Sequence, residues 1–170
     1  NVKRTLVGSE YNTRREQCEA AAKHFNKPAL RDVTIEELES ERNNLPQLIY
    51  QRAKHVITEN DRTIQSLKAL NQNDMVSMST LMAASHVSMK DDFEITTPEL
   101  DTLVDIIANV LGDKGGARMT GGGFGGCAIA LTPNHLVAQV EKAIADQYPQ
   151  KTGLVADVYV CVATDGAFVN

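Results

Sequence analysis

Between Thr120 and Cys127 the chain reads Thr-Gly-Gly-Gly-Phe-Gly-Gly-Cys, with five glycines in six positions. Glycine loses more conformational freedom on folding than any other residue. A loop this rich in it is kept where the backbone must take positive φ or come very close to another body. Successive backbone N–H groups in such a loop make a concavity suited to an anion. A tight hairpin needs only about two glycines, so ligand approach is the reading that uses the rest. Gly121, Gly123 and Gly126 match the dinucleotide spacing G-x-G-x-x-G literally, but a strand rather than a helix is predicted to follow. The Gly-Lys-Ser/Thr ending of a P-loop is absent as well. Arg118, just before the loop, is a candidate phosphate contact; on a strand it can equally face solvent or pair with an acid.

Other chemistry-bearing side chains read more simply. Arg14 and Arg15 have Glu10 and Glu19 four residues away, the spacing of helix ion pairs. Lys114 is a surface residue and His86 a structural polar one. Met75, Met78, Met82 and Met89 line one helix face and are expected to fill core. Cys18, Cys127 and Cys161 are an odd, widely spaced set, which argues against a disulfide framework and against a CxxC metal site. Cys127 and Cys161 are expected to be buried in strands, and a reducing, cytoplasmic setting follows. No metal ligand is assigned.

The elements that must position these residues follow from periodicity and caps. Val2–Val7 is a short β-compatible stretch. A helix is expected from about Ser9 or Thr13, with Tyr11, Cys18, Ala22 and Phe25 on one face and Pro28 closing the segment. Thr34-Ile35-Glu36-Glu37 is a capping box. Pro46 opens a long helix striped by Ile49, Ala53, Val56, Ile57, Ile64 and Leu67. Asp74 caps the methionine helix, and Thr97-Pro98 begins another that ends at Gly112. Strands are then expected over Ala117–Thr120 and Cys127–Leu131, flanking the glycine loop. A helix carries Leu136, Val137, Val140, Ile144 and Tyr148, and a last strand covers Ala156–Ala163. This order gives an α+β architecture with an antiparallel sheet and helices mainly on one face.

Residues 1–170 read as one domain. Seventeen basic against 22 acidic residues, a net charge of −5, leave no electrostatic footprint for nucleic acid or an anionic membrane. No apolar run approaches the ~20 residues of a membrane helix.

Gly116-Ala117-Arg118-Met119-Thr120-Gly121-Gly122-Gly123-Phe124-Gly125-Gly126-Cys127 closely resembles the third motif of galactokinases. These belong to the GHMP small-molecule kinases, with the homoserine, mevalonate and phosphomevalonate kinases. Lys3-Arg4-Thr5-Leu6 and Ser9-Glu10-Tyr11-Asn12-Thr13-Arg14-Arg15-Glu16-Gln17-Cys18 resemble the segment after the family's domain crossover. Ser85-His86, Asp91–Thr96, Glu99–Asp101 and the ending Asp165-Gly166-Ala167 match in family order, most like the bacterial members. The resemblance implies the ferredoxin-like GHMP C-terminal domain with a helical insertion. It also implies transfer of the γ-phosphoryl group of ATP to the C1 hydroxyl of α-D-galactose, with Mg²⁺, in the cytoplasm. It implies that Tyr11 contacts galactose, against the plain reading of a core tyrosine on a helix face. The loop Gly121, Gly122, Gly123, Phe124, Gly125 and Gly126 would close the cleft, with Phe124 either a plug beneath it, the favoured reading, or part of the cleft wall. The family's sugar motif, phosphate loop, catalytic base and Mg²⁺ ligands are not in this sequence, so no catalytic residue is assigned here. An N-terminal galactokinase domain is the implied partner, and the segment alone is expected to be inactive. An N-acetylgalactosamine kinase and a non-catalytic galactose sensor are the alternatives the resemblance leaves open.

Overall fold

The structure, a computed structural model, describes residues 7–164 and Gly166. Helices α1 (Val7–His24), α2 (Ile35–Ser40), α3 (Gln47–Asn71), α4 (Met75–Asp91) and α5 (Pro98–Leu111) precede a hairpin of β1 (Gly116–Thr120) and β2 (Cys127–Leu131), and α6 (Val137–Thr152) follows. Single 3₁₀ turns lie at Leu30–Asp32 and Asn134–Leu136. The expected stretch Val2–Val7, except its last residue, and the ending Asp165–Ala167, except Gly166, lie outside the described residues.

The helix starts follow their caps. Thr34 accepts from the Glu37 N–H while the Glu37 carboxylate accepts from the Thr34 N–H, a complete capping box. The Asp74 carboxylate accepts from the Ser77 N–H, and the Thr97 hydroxyl accepts from that of Leu100, with Pro98 in the first turn. Gly112, at φ 56°, ends α5. α1 starts earlier than expected: it is already helical at Val7, and the Thr13–Glu16 pattern lies inside it. The Glu10–Arg14 ion pair spans the expected start and stabilises those turns as helix.

Four packed clusters form the core among the described residues. Ala21, Ala22, Leu30, Val33, Leu38, Tyr50, Ala53 and Ile57 form the core between α1, α2 and α3. Val104, Ile107, Leu111, Ala117, Val140, Ile144 and Tyr148 form a second between α5, α6 and β1. α4 packs on both α3 and β1. Its Met78 and Met82 are buried with Ala69, and Met89 with Ile95, Leu100 and Met119. Thr120 pairs with Cys127 and Gly116 with Leu131 in antiparallel register, so the six loop residues 121–126 cap the hairpin. The sheet side bearing Ala117 and Met119 is buried, whereas Ile129, opposite Arg118, is exposed.

Several expectations need correction. Ala156–Ala163 is not a strand. Its alternating valines have the propensity, but a strand exists only with a ladder partner; the segment stays off β2, and the two line an open groove of about 550 Å³ with α6. Val158, Tyr159, Val160 and Val162 are therefore exposed. Cys161 sits in this segment and Cys127 on β2, which among the described residues pairs only with β1, so both thiols are exposed rather than buried. On α3 the apolar stripe stops early: Ile64 and Leu67 are exposed, because the last turns bury Ala69 against α4 instead.

His55 lies between α3 and α4, stacked on Phe93 at 4.3 Å and 3.0 Å from the Ser88 hydroxyl. Burial lowers its pKa to about 4. Between that value and the ordinary ~6.5 of an unfolded histidine, the unfolded chain binds more protons than the folded one. The stability His55 contributes is thus full above about pH 6.5 and is lost as pH falls toward 4. His86 shifts in the same direction. We expect the thermal midpoint to fall between pH 6.5 and 4, and His55→Phe to flatten but not abolish that slope; circular dichroism melts across this range check it.

Candidate functional site

The glycine loop is built by its backbone. Gly121, Gly123, Gly125 and Gly126 have φ of 96°, 81°, 118° and 109°, and Phe124 sits at 57°. Such left-handed and mirror-β conformations are where glycine is the default. Gly123 also has a close neighbour: a Cβ there would lie 2.6 Å from both the carbonyl oxygen and Cβ of Ile95. Gly122 differs. Its φ is not positive, and a Cβ would meet nothing within 4 Å. The protein's own fold does not require Gly122 to be a glycine, and the space over it is open.

The loop is tied down from below. The Phe124 N–H donates to the Ile95 carbonyl at 2.7 Å, so this N–H is turned inward and does not face a ligand. The Phe124 ring packs against the cluster of Met89, Ile95, Leu100 and Met119, under the loop. At the lead-in, the Met119 N–H donates to His86 Nδ1 at 3.2 Å. This fixes the proton on Nε2, which faces Asp101 Oδ1 at 3.3 Å without aligned hydrogen-bond geometry. Burial lowers the His86 pKa, against the pull of Asp101, and favours this neutral tautomer. Lys90 completes the pairing of Asp101 at 3.2 Å.

Arg14 brings α1 to the loop. Its Nε donates to the Phe93 carbonyl at 2.7 Å and its Nη2 to that of Glu94 at 3.0 Å, while the guanidinium lies 5.6 Å from the centre of the Phe124 ring. Tyr11 is one turn earlier on the same helix and 58% exposed. It is not in the core that takes Cys18, Ala22 and Phe25, which removes the helix-face core reading. Tyr11 and the glycine loop are thus carried on elements joined through Arg14, and both meet solvent. Arg118 points elsewhere: its guanidinium donates to the Ser85 hydroxyl at 3.2 Å and lies 3.8 Å from Glu59. Ser85 in turn donates to Glu59, whose pKa the Arg62 and Ser85 hydrogen bonds lower. Arg15 pairs with Glu19, as its spacing predicts.

The profile described as GHMP kinases C terminal matches residues 66–150, which hold α4, α5, the hairpin with its loop and most of α6. The chain belongs to the GHMP kinases. As a C-terminal GHMP domain it is similar to the galactokinase of Lactococcus lactis solved in complex with galactose, with 36% sequence identity and a TM-score of 0.87. The match covers 94% of this chain and 42% of that one, so this GHMP domain spans well under half the length of that galactokinase. The α+β class of the sequence reading stands, with the glycine loop at the tip of the antiparallel hairpin.

Among the described residues no group of three or more His, Cys, Asp or Glu side chains converges as a metal site. No helix among the described residues is long and apolar enough to cross a membrane. Sequence reasoning missed the roles of Arg14, His86 and Ile95 beneath the loop; their partners lie far off along the chain, and spacing carries no signal of them.

Gly122 and Gly123 should respond differently to the same change. We expect Gly123→Ala to cost about 2 kcal/mol or more through its left-handed φ and the Ile95 collision, a fall of roughly 4–8 °C in thermal midpoint. Gly122→Ala should leave the midpoint within about 1 °C. Differential scanning fluorimetry of the two variants checks this.

Proposed function

We propose that this domain is the C-terminal part of a galactokinase, which transfers the γ-phosphoryl group of ATP to the C1 hydroxyl of α-D-galactose in the cytoplasm. The observation that carries the reading is the pairing of an exposed Tyr11 with a glycine loop whose outermost residue, Gly122, has open space above it. Likeness to a galactokinase solved with galactose supports the choice of sugar. The remaining groups belong to an N-terminal domain, in keeping with a match that spans 42% of the relative's length.

In this reading the Tyr11 phenol hydrogen-bonds a galactose hydroxyl while its ring covers the apolar face of the sugar. The loop presses its backbone at Gly122 against the reacting region and excludes water there. Phe124 holds the loop from beneath and does not touch substrate. Phosphoryl transfer depends mainly on positioning and on stabilising developing charge, so a domain that supplies one wall of the cleft cannot complete it alone. Mg²⁺ would neutralise charge on the ATP phosphates when bound, and in this reading its ligands belong to the N-terminal domain. Arg118, committed to Ser85 and Glu59, has no phosphate role in this reading.

We expect the full-length protein carrying this chain to release ADP only when galactose is present, and the isolated 170-residue segment to be inactive. Tyr11→Ala should raise the galactose KM by about tenfold, the loss of roughly one good hydrogen bond with its ring contact. Gly122→Val should lower kcat/KM by about a hundredfold by filling the space over the loop. A coupled assay with galactose and with N-acetylgalactosamine checks all four. Absence of galactose-dependent ADP release from the full-length protein would refute the reading.

A further inference from the structure

Arg52 is the largest of the fully buried side chains, 1% exposed, on the inward face of α3. A buried guanidinium persists only where its donors are matched. Here its donors go to two segments far apart in the chain. Nε donates to the Gln17 side-chain oxygen on α1 at 3.0 Å. Nη1 donates to the Asp92 carbonyl, and Nη2 to the Glu94 carboxylate, both by short hydrogen bonds.

These partners are the segments that build the candidate site. Gln17 lies on the helix that carries Tyr11 and Arg14. Asp92 and Glu94 begin the turn after α4, whose next residue, Ile95, holds the Phe124 N–H through its carbonyl and defines the space at Gly123. Glu94 itself is at φ 53°, a left-handed conformation uncommon for a residue other than glycine. That turn is held from both sides: Arg14 takes the carbonyls of Phe93 and Glu94, and Arg52 takes the carbonyl of Asp92 and the carboxylate of Glu94. Lys54 and Ser88 hold the Asp92 carboxylate, and His55 stacks on Phe93. The loop does not rest on β1 and β2 alone; its middle hydrogen-bonds to a turn that Arg14 and Arg52 hold together.

We propose that Arg52 and Glu94 are positioning residues for the glycine loop, registering it against the helix that carries Tyr11. They touch no substrate; they act through Ile95 on Phe124 and through Gln17 on α1. The inference rests on the proposed kinase reading for its catalytic consequence, but the mechanical part can be tested without it.

The test uses the full-length protein with Glu94→Gln, which removes the charge and keeps the shape. A second variant, Arg52→Met with Glu94→Gln, removes both charges, so that no lone buried cation unfolds the chain. Two measurements are made on each. Amide hydrogen exchange should speed up by about tenfold or more at Phe124 and its loop neighbours and stay unchanged in α5 and α6. In the coupled assay kcat should fall by about tenfold, with the ATP KM changed by less than about twofold. An unchanged Phe124 exchange rate overturns the proposal whatever the activity. So does a rise spread evenly over the domain, which would mark a purely structural pair, and so does an unaltered kcat in an enzyme that turns over galactose. If the unsubstituted protein shows no galactose turnover, the kinase reading fails on its own, and the exchange data still decide whether the clamp exists.

Discussion

The site depends on a cation that has no water around it. Arg52 is sealed between α1, α3 and the turn after α4, and desolvating a guanidinium is among the larger penalties a fold can carry. It is offset because Gln17 on α1 and the Asp92 carbonyl and Glu94 carboxylate of the turn after α4 converge on it. Convergence of that kind leaves little freedom: α1 cannot slide along α3, and the turn cannot reshape, without stranding a charge. A hydrophobic contact would tolerate small shifts in either direction; matched donors do not.

From that fixed point the order of the site builds outward. The turn presents the Ile95 carbonyl, the carbonyl receives the Phe124 N–H, and Phe124 seats its ring against Met89, Leu100 and Met119. His86 holds the strand that enters the loop by accepting the Met119 N–H on an imidazole kept neutral by burial. The loop therefore has anchors at its start and its middle, and keeps the bare backbone at Gly122 for whatever approaches from outside. Conformational freedom in the glycines and rigidity in their supports serve the same end: a surface without side chains, held in one place.

What could be read from the sequence alone was what is local. Thr34, Asp74 and Thr97 stand next to the N–H groups they cap, and Gly112 ends the helix it follows, so these boundaries were legible. The loop was legible because five glycines so close together need a reason of their own. Features set by distant partners were not. Arg14 reads as the partner of Glu10, and that pair exists, yet its better hydrogen bonds reach carbonyls 79 and 80 residues away. Ala156–Ala163 has the composition of a strand, but pairing is decided by a neighbour and not by propensity. Cys127 and Cys161 were misplaced for the same reason, since burial in a strand presumes that the sheet continues beyond it. Tyr11 shares its helical phase with Cys18, Ala22 and Phe25, yet lies outside the core they join and is exposed.

The contact between Gly123 and Ile95 carries a consequence for how such a loop can vary. The emptiness at Gly123 is not a property of that residue alone; it is the imprint of the Ile95 side chain and carbonyl. Trimming Ile95 would relieve part of the collision that a methyl group at position 123 suffers, but not its share due to the backbone oxygen or to φ. The two positions, 28 residues apart, should thus behave under mutation as one coupled site with non-additive effects. In divergent copies of this domain, a change at one should be tolerated only in the company of a particular change at the other.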